Sequence, residues 1–128
     1  MSAKRKIMVI VDEPDILKLV ETGLKKYGHD VDTFSEPVKA LTHFGQYHND
    51  YALLIIDIRM PGMSGIEFVR NARQIAPDVK FLLMTAFEMT AQEIQKDLQF
   101  FGTDNLLKKP FMLSSICKVV EKHLVNEM

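Results

Sequence analysis

A chain of 128 residues, 47% of them hydrophobic, is long enough for one domain that buries roughly two thirds of its unfolded surface. Sixteen basic residues are balanced by 17 acidic ones, a formal net charge of -1, so no cationic face invites direct contact with nucleic acid. The single cysteine excludes an internal disulfide, and no apolar run approaches membrane-spanning length, so a soluble cytoplasmic protein with no membrane partner is expected.

Lys4-Arg5-Lys6 imitates the basic start of a signal peptide, but only Ile7 to Val11 follows before Asp12, too short an apolar stretch for one. The triplet reads as a solvated terminus, and Ile7 to Val11 as the first strand. Asp12-Glu13-Pro14 then opens a helix, with Pro14 in its first turn and acids at its positive end. Leu17, Val20 and Leu24 recur at helical spacing, and Gly28 stops the helix. His29 to Phe34 is a short second strand. Ser35-Glu36-Pro37 opens a second helix, with Val38, Leu41 and Phe44 on one face and Gly45 after it.

Leu53-Leu54-Ile55-Ile56-Asp57 is the central strand. An apolar run this short suits a strand buried on both faces, as in parallel sheets, yet it ends in a carboxylate and a Pro/Gly-rich loop. Ser64-Gly65-Ile66-Glu67 has the capping-box form, so a helix runs from about Gly65 to Ala76. Val79 to Met84 is a fourth strand. Thr90-Ala91-Gln92-Glu93 opens a helix with Ala91, Ile94, Leu98 and Phe101 on one stripe, ended by Gly102. Asn105 to Lys108 is a fifth strand, and a last helix from about Leu113 to Val125 buries Leu113, Ile116, Cys117, Val120 and Leu124.

Five β-then-α units in residues 1–128 predict a single α/β domain: a five-stranded parallel sheet, order 2-1-3-4-5, doubly wound and flavodoxin-like, with helices on both faces. Ligands of such sheets bind beyond the carboxyl ends of the strands, where the strand order reverses. That rule sets Asp12 beside Asp57 and brings Thr85 and Lys109 to the same rim. Two carboxylates make a hard-oxygen site suited to Mg2+, a lysine supplies charge for a phosphoryl group, and a threonine hydroxyl donates to it. Ala86 leaves room for a backbone N–H to approach. Asp57 is the candidate nucleophile, through an aspartyl phosphate.

These residues carry a family likeness. Asp12 with Glu13-Pro14-Asp15, Asp57 to Gly65 in full, Thr85-Ala86 and Lys109-Pro110-Phe111 come in the order and spacing of a receiver domain, and the chain resembles the receivers of two-component response regulators over nearly its whole length. The resemblance implies that Asp57 accepts a phosphoryl group from the phosphohistidine of a sensor histidine kinase or phosphotransfer protein and later loses it by slow autodephosphorylation. Asp12, Asp57 and the backbone carbonyl of Arg59 would hold Mg2+, with Glu13 a further candidate ligand. Thr85, Lys109 and the backbone of Ala86 would contact the phosphoryl group. Such a switch is not an enzyme beyond autophosphatase activity, and it signals to a downstream effector by protein contact.

Two positions depart from the family. The family usually has two adjacent acids at the end of the first strand. A gapless alignment puts Val11 at the first and Asp12 at the second; the alternative, a one-residue insertion, makes Asp12-Glu13 the pair. Under the first alignment a carboxylate is lost, and weaker Mg2+ binding and slower phosphorylation are expected. Leu106 stands where the family usually has Tyr or Phe, so the ring that reports the threonine's movement is missing. A degenerate receiver serving only as a protein-interaction module is the rival reading. A hydrolase of the aspartyl-phosphate type is disfavoured, because Arg59 occupies the place of its second carboxylate.

The remaining features are bland by comparison. Lys108 reads as solvated, Cys117 as a core thiol, the eight methionines as core filler, and the four scattered histidines lack ligand spacing. Phe100 falls off the stripe of its helix and either faces partners or packs on the following loop. The last helix lacks a charged dimer pattern, so a monomer or weak dimer is expected.

Overall fold

Tyr51 to Asp57 forms a strand of seven residues, every one of them buried, and the sheet is built outward from it. The computed structural model describes residues 5–85 and 106–108. Its strands are β1 (Lys6–Ile10), β2 (Val31–Phe34), β3 (Tyr51–Asp57), β4 (Lys80–Thr85) and β5 (Leu106–Lys108), the last described in its backbone. They lie in the order β2-β1-β3-β4-β5, and each neighbouring pair is parallel. This is a parallel sheet of the flavodoxin-like kind.

Among the described residues three helices cover it: α1 (Pro14–Lys26), α2 (Pro37–Tyr47) and α3 (Gly65–Ile75). Successive side chains of a strand point to opposite faces, so the apolar runs feed two cores. Ile7, Val9, Leu53 and Ile55 pack with Val20 and Leu24 of α1. On the other face Met8, Ile10, Leu54 and Ile56 pack with Phe44 of α2 and with Phe68 and Val69 of α3. A strand covered on both sides needs no polar alternation. That is why β3 reads as an unbroken apolar run.

The helix ends follow local chemistry. Pro stands in the first turn of both α1 and α2. Ser64 caps α3, its hydroxyl accepting from the Glu67 N–H at 3.2 Å, as the Ser-x-x-Glu pattern predicts. Gly28, at φ 90°, turns the chain after α1.

Several boundaries differ from the sequence reading. β3 starts at Tyr51, two residues before Leu53, because Tyr51 and Ala52 are also buried. β1 and β4 are each displaced by one residue, and β2 is Val31–Phe34 rather than His29 to Phe34. The larger correction concerns α2. Val38 is 58% exposed, and the buried positions are Pro37, Ala40 and Phe44, so the inward stripe runs one residue earlier than Val38 suggested. Gly45 does not end α2 but lies inside it, where an added Cβ would stand 3.8 Å from Ile75 of α3. The helices expected from Thr90 and from Leu113, with Phe100 and Cys117, lie outside the described residues.

At the amino end of β3 the buried Tyr51 hydroxyl donates to Asp32 of β2 at 2.7 Å, and Lys6 of β1 reaches the same carboxylate oxygen at 3.4 Å. Three neighbouring strands thus share one polar tie. Burial, and then the bond to Asp32, pushes the Tyr51 phenol well above its ordinary range.

Two outcomes test this packing. Phe44→Ala is expected to cost about 3–5 kcal/mol and Val38→Ala no more than about 0.5 kcal/mol, measured by urea unfolding. The raised folded-state phenol means that Tyr51 stabilises fully below the unfolded tyrosine value of about 10 and loses that contribution as pH rises beyond it, where the unfolded chain ionises first. Tyr51→Phe should cost about 1 kcal/mol at neutral pH and flatten the fall in stability above pH about 10.

Candidate functional site

Asp57 is the last residue of β3 and only 3% exposed, the one buried charged side chain among the described residues. An ionised carboxylate so placed needs donors or a cation around it. Its Oδ1 accepts from the Arg59 N–H at 3.3 Å. The peptide that follows it is held from two sides. The Ile58 N–H donates to the Met84 carbonyl of β4 at 2.9 Å, and the Ile58 carbonyl accepts from the Gly65 N–H at 2.8 Å. The turn from β3 into α3 is closed by these bonds.

Asp12 and Glu13 lie between β1 and α1. Glu13 is the N-cap residue of α1, yet its side chain makes no capping bond. Instead, carboxylate oxygens of Asp12, Glu13 and Asp57 lie within 4.8 Å of one another, the only such group of potential metal ligands among the described residues. At an effective dielectric near 20, two unit charges no farther apart than that repel by about 3 kcal/mol or more. A divalent cation relieves the repulsion. Carboxylate oxygens, one set buried and two at the rim, are the donor type that Mg2+ prefers. The residues present fit such an ion.

Val11 takes a different place from the two rim acids. β1 pairs with β3 as far as Ile10 opposite Ile56, so one step on brings Val11 level with Asp57. Val11 is fully buried in the α1-side core with Val9, Val20 and Leu24. The place beside Asp57 holds hydrocarbon, and the third carboxylate arrives from the next turn of chain on a longer side chain.

The register also positions two further residues by backbone. Asp57 is opposite Met84, so Thr85 is one residue beyond it on β4, and Thr85 is in turn opposite Lys108 at the end of β5. The carboxyl ends of β3, β4 and β5 therefore meet at one rim. Ala86 and Lys109 follow those ends in the chain and lie outside the described residues. Beside Asp12 a recess of about 490 Å3 opens between the Ser35–Lys39 turn and Pro61, walled mainly by Pro37, Val38 and Pro61. Of the three acids, Asp12 lines it. No helix among the described residues is long and apolar enough to cross a membrane.

With this geometry in place, comparison with known proteins is informative. The family model of the response regulator receiver domain matches residues 7–121. The response regulator receiver protein CpdR of Brucella abortus is 31% identical over 121 residues, covering 94% of this chain and 98% of that protein. The two-component response regulator PhoP of Pseudomonas aeruginosa is 30% identical over 111 residues, which is 87% of this chain but 48% of PhoP. The chain thus spans nearly all of one relative and about half of the other. A crystal structure of a response regulator receiver domain protein from Clostridium thermocellum superimposes with a TM-score of 0.84 at 25% identity over 96% of each chain. These relatives are signalling proteins rather than conventional enzymes. The chain belongs to the response regulator receiver domain family of two-component systems.

Proposed function

We propose that this receiver is a live phosphoacceptor, with Asp57 as the residue that is phosphorylated. The observation that carries the reading is the buried Asp57 carboxylate at the end of β3, within 4.8 Å of the carboxylates of Asp12 and Glu13. A histidine kinase or phosphotransfer protein presents a phosphohistidine at the rim. An Asp57 carboxylate oxygen forms a new O–P bond as the N–P bond breaks, and the imidazole nitrogen keeps the electron pair. Water later attacks the same phosphorus, the Asp57 O–P bond breaks, and inorganic phosphate leaves. Bound Mg2+ supplies positive charge to the transferring phosphoryl oxygens. Asp12, Glu13 and Asp57 hold that ion, with the Arg59 carbonyl as a further ligand. Thr85, Lys109 and the Ala86 backbone meet the phosphoryl group.

Loss of one acid at Val11 favours a dead pocket only if nothing replaces it. The position of Glu13 supports replacement, so the switch reading is preferred to that of an inert interaction module. The rest of the proposal follows the family. The chain acts as a single cytoplasmic domain over residues 1–128, a monomer or weak dimer, and signals to an effector by protein contact and not by binding nucleic acid itself.

Incubation with acetyl phosphate and Mg2+ should add the mass of one phosphoryl group to the wild-type chain and none to Asp57→Asn; a wild type that gains no mass at saturating Mg2+ would establish the interaction module instead. The origin of the third carboxylate is tested by calorimetric Mg2+ titration. Glu13→Gln should weaken binding about ten-fold, a loss of roughly 1.4 kcal/mol. Val11→Asp should lower stability, because it puts a carboxylate where hydrocarbon is packed, and tighten Mg2+ binding little. The reverse pattern would restore Val11 as the missing ligand position.

A further inference from the structure

The loop that leaves Asp57 contains two glycines, Gly62 and Gly65, whose reasons for being glycine differ. Gly62 has φ 88° and nothing within 4 Å of where a Cβ would stand, so its requirement is conformational. Gly65 has no positive φ, and any residue type suits its backbone conformation. What excludes a side chain there is space. A Cβ on Gly65 would collide with the Asp57 carbonyl oxygen and stand 3.0 Å from both the Asp57 carbonyl carbon and the Ile58 Cα. All three are backbone atoms of a buried strand end. They have no flexible tip that could swing aside, so a side chain at 65 must push either α3 or the Asp57 peptide.

The surroundings say which of these yields. α3 is anchored behind Gly65 by the buried Ile66, Phe68 and Val69 and capped in front by Ser64. The Gly65 N–H is bonded to the Ile58 carbonyl at 2.8 Å, and the Asp57 carboxylate is bonded to the Arg59 N–H. With α3 held this way and β3 fixed in place by the Ile58 N–H bond to Met84, a side chain at 65 bears on the tilt of the Asp57–Ile58 peptide, and through it on the orientation of the Asp57 carboxylate.

Resting on the phosphoacceptor reading, we infer that Gly65 is a positioning residue: its missing side chain lets the first turn of α3 abut the Asp57–Ile58 peptide and so aims the Asp57 carboxylate at the metal and the incoming phosphorus. Gly65 touches neither. It acts by where it holds the nucleophile, and displacements well under an ångström matter to an in-line transfer. In the reaction with acetyl phosphate, the O–P bond to Asp57 forms as the donor's O–P bond breaks and acetate leaves with the electron pair.

The test compares Gly65→Ala with Gly62→Ala, following thermal stability, Mg2+ affinity by calorimetry, and the rate of phosphoryl gain by mass. Gly62→Ala, strained at φ 88° but remote from Asp57 by contact, should melt earlier while keeping wild-type Mg2+ affinity and rate. Gly65→Ala should remain folded, bind Mg2+ more weakly, and gain phosphate about ten- to a hundred-fold more slowly, with saturating Mg2+ failing to restore the rate. Wild-type affinity and rate in Gly65→Ala, or equal losses in Gly62→Ala, would overturn the inference while leaving a phosphorylated wild type, and hence the proposed function, intact. A wild type that gains no phosphate sinks the proposed function, and the Mg2+ affinities then decide the role of Gly65. If Gly65→Ala does not fold, nuclear magnetic resonance of the wild type decides. The Gly65 amide resonance should shift on Mg2+ saturation and that of Gly45 in α2 should not; a Gly65 resonance that stays still refutes the coupling.

Discussion

A strand buried on both faces that ends in a carboxylate sets two demands at once, and the described structure answers both. The apolar length of β3 requires covering helices on each side, supplied by α1 on one and by α2 and α3 on the other. Its terminal charge requires that the cover change just at Asp57, where the loop backbone can donate to it. The compromise is a rim. Within one or two residues a cluster of acids appears, and the turn into α3 is stitched by backbone bonds as well as by the packing of Ile58, Met60 and Met63.

Most of this architecture is written in hydrophobic periodicity, because each strand and helix here follows its simplest pattern. Strand runs are short, apolar and bounded by Pro, Gly or acids, and the Ser64 cap behaves as its sequence predicts. The misreadings have physical causes. The apolar run that marks β3 in the sequence stops short of Tyr51 and Ala52, because a tyrosine hydroxyl looks polar until its partner, Asp32, is known from another strand. In α2 the large Val38 drew the inward stripe to itself, whereas small Ala40 takes that place and Val38 faces solvent. Size was mistaken for burial.

The site was legible in a different way. Asp12, Asp57 and Thr85 sit at strand ends by topology alone, since parallel register brings carboxyl ends together whatever the side chains are. What no pattern reveals is reach. Alignment treats Val11 and Glu13 as neighbouring symbols, but Val11 points into a packed core while Glu13 has an extra methylene and no capping duty. Whether a longer arm from a later residue fills a vacated place is a matter of three-dimensional distance. The need for glycine at position 65 is likewise invisible in one dimension, because the atoms that forbid a side chain there belong to Asp57 and Ile58, eight and seven positions away.

Tyr51 and Asp57 occupy opposite ends of one strand, and both ends are moored. At the amino end a phenol, a carboxylate and an ammonium lash β3 to its neighbours; at the carboxyl end the Ile58 N–H is bonded to Met84 and its carbonyl to Gly65. A beam pinned at both ends and packed along its length has no free travel along its axis. Chemistry at Asp57 cannot work this sheet as a piston. On the phosphoacceptor reading proposed above, a change of charge at Asp57 bears on the groups that ring the rim rather than on the axial position of β3.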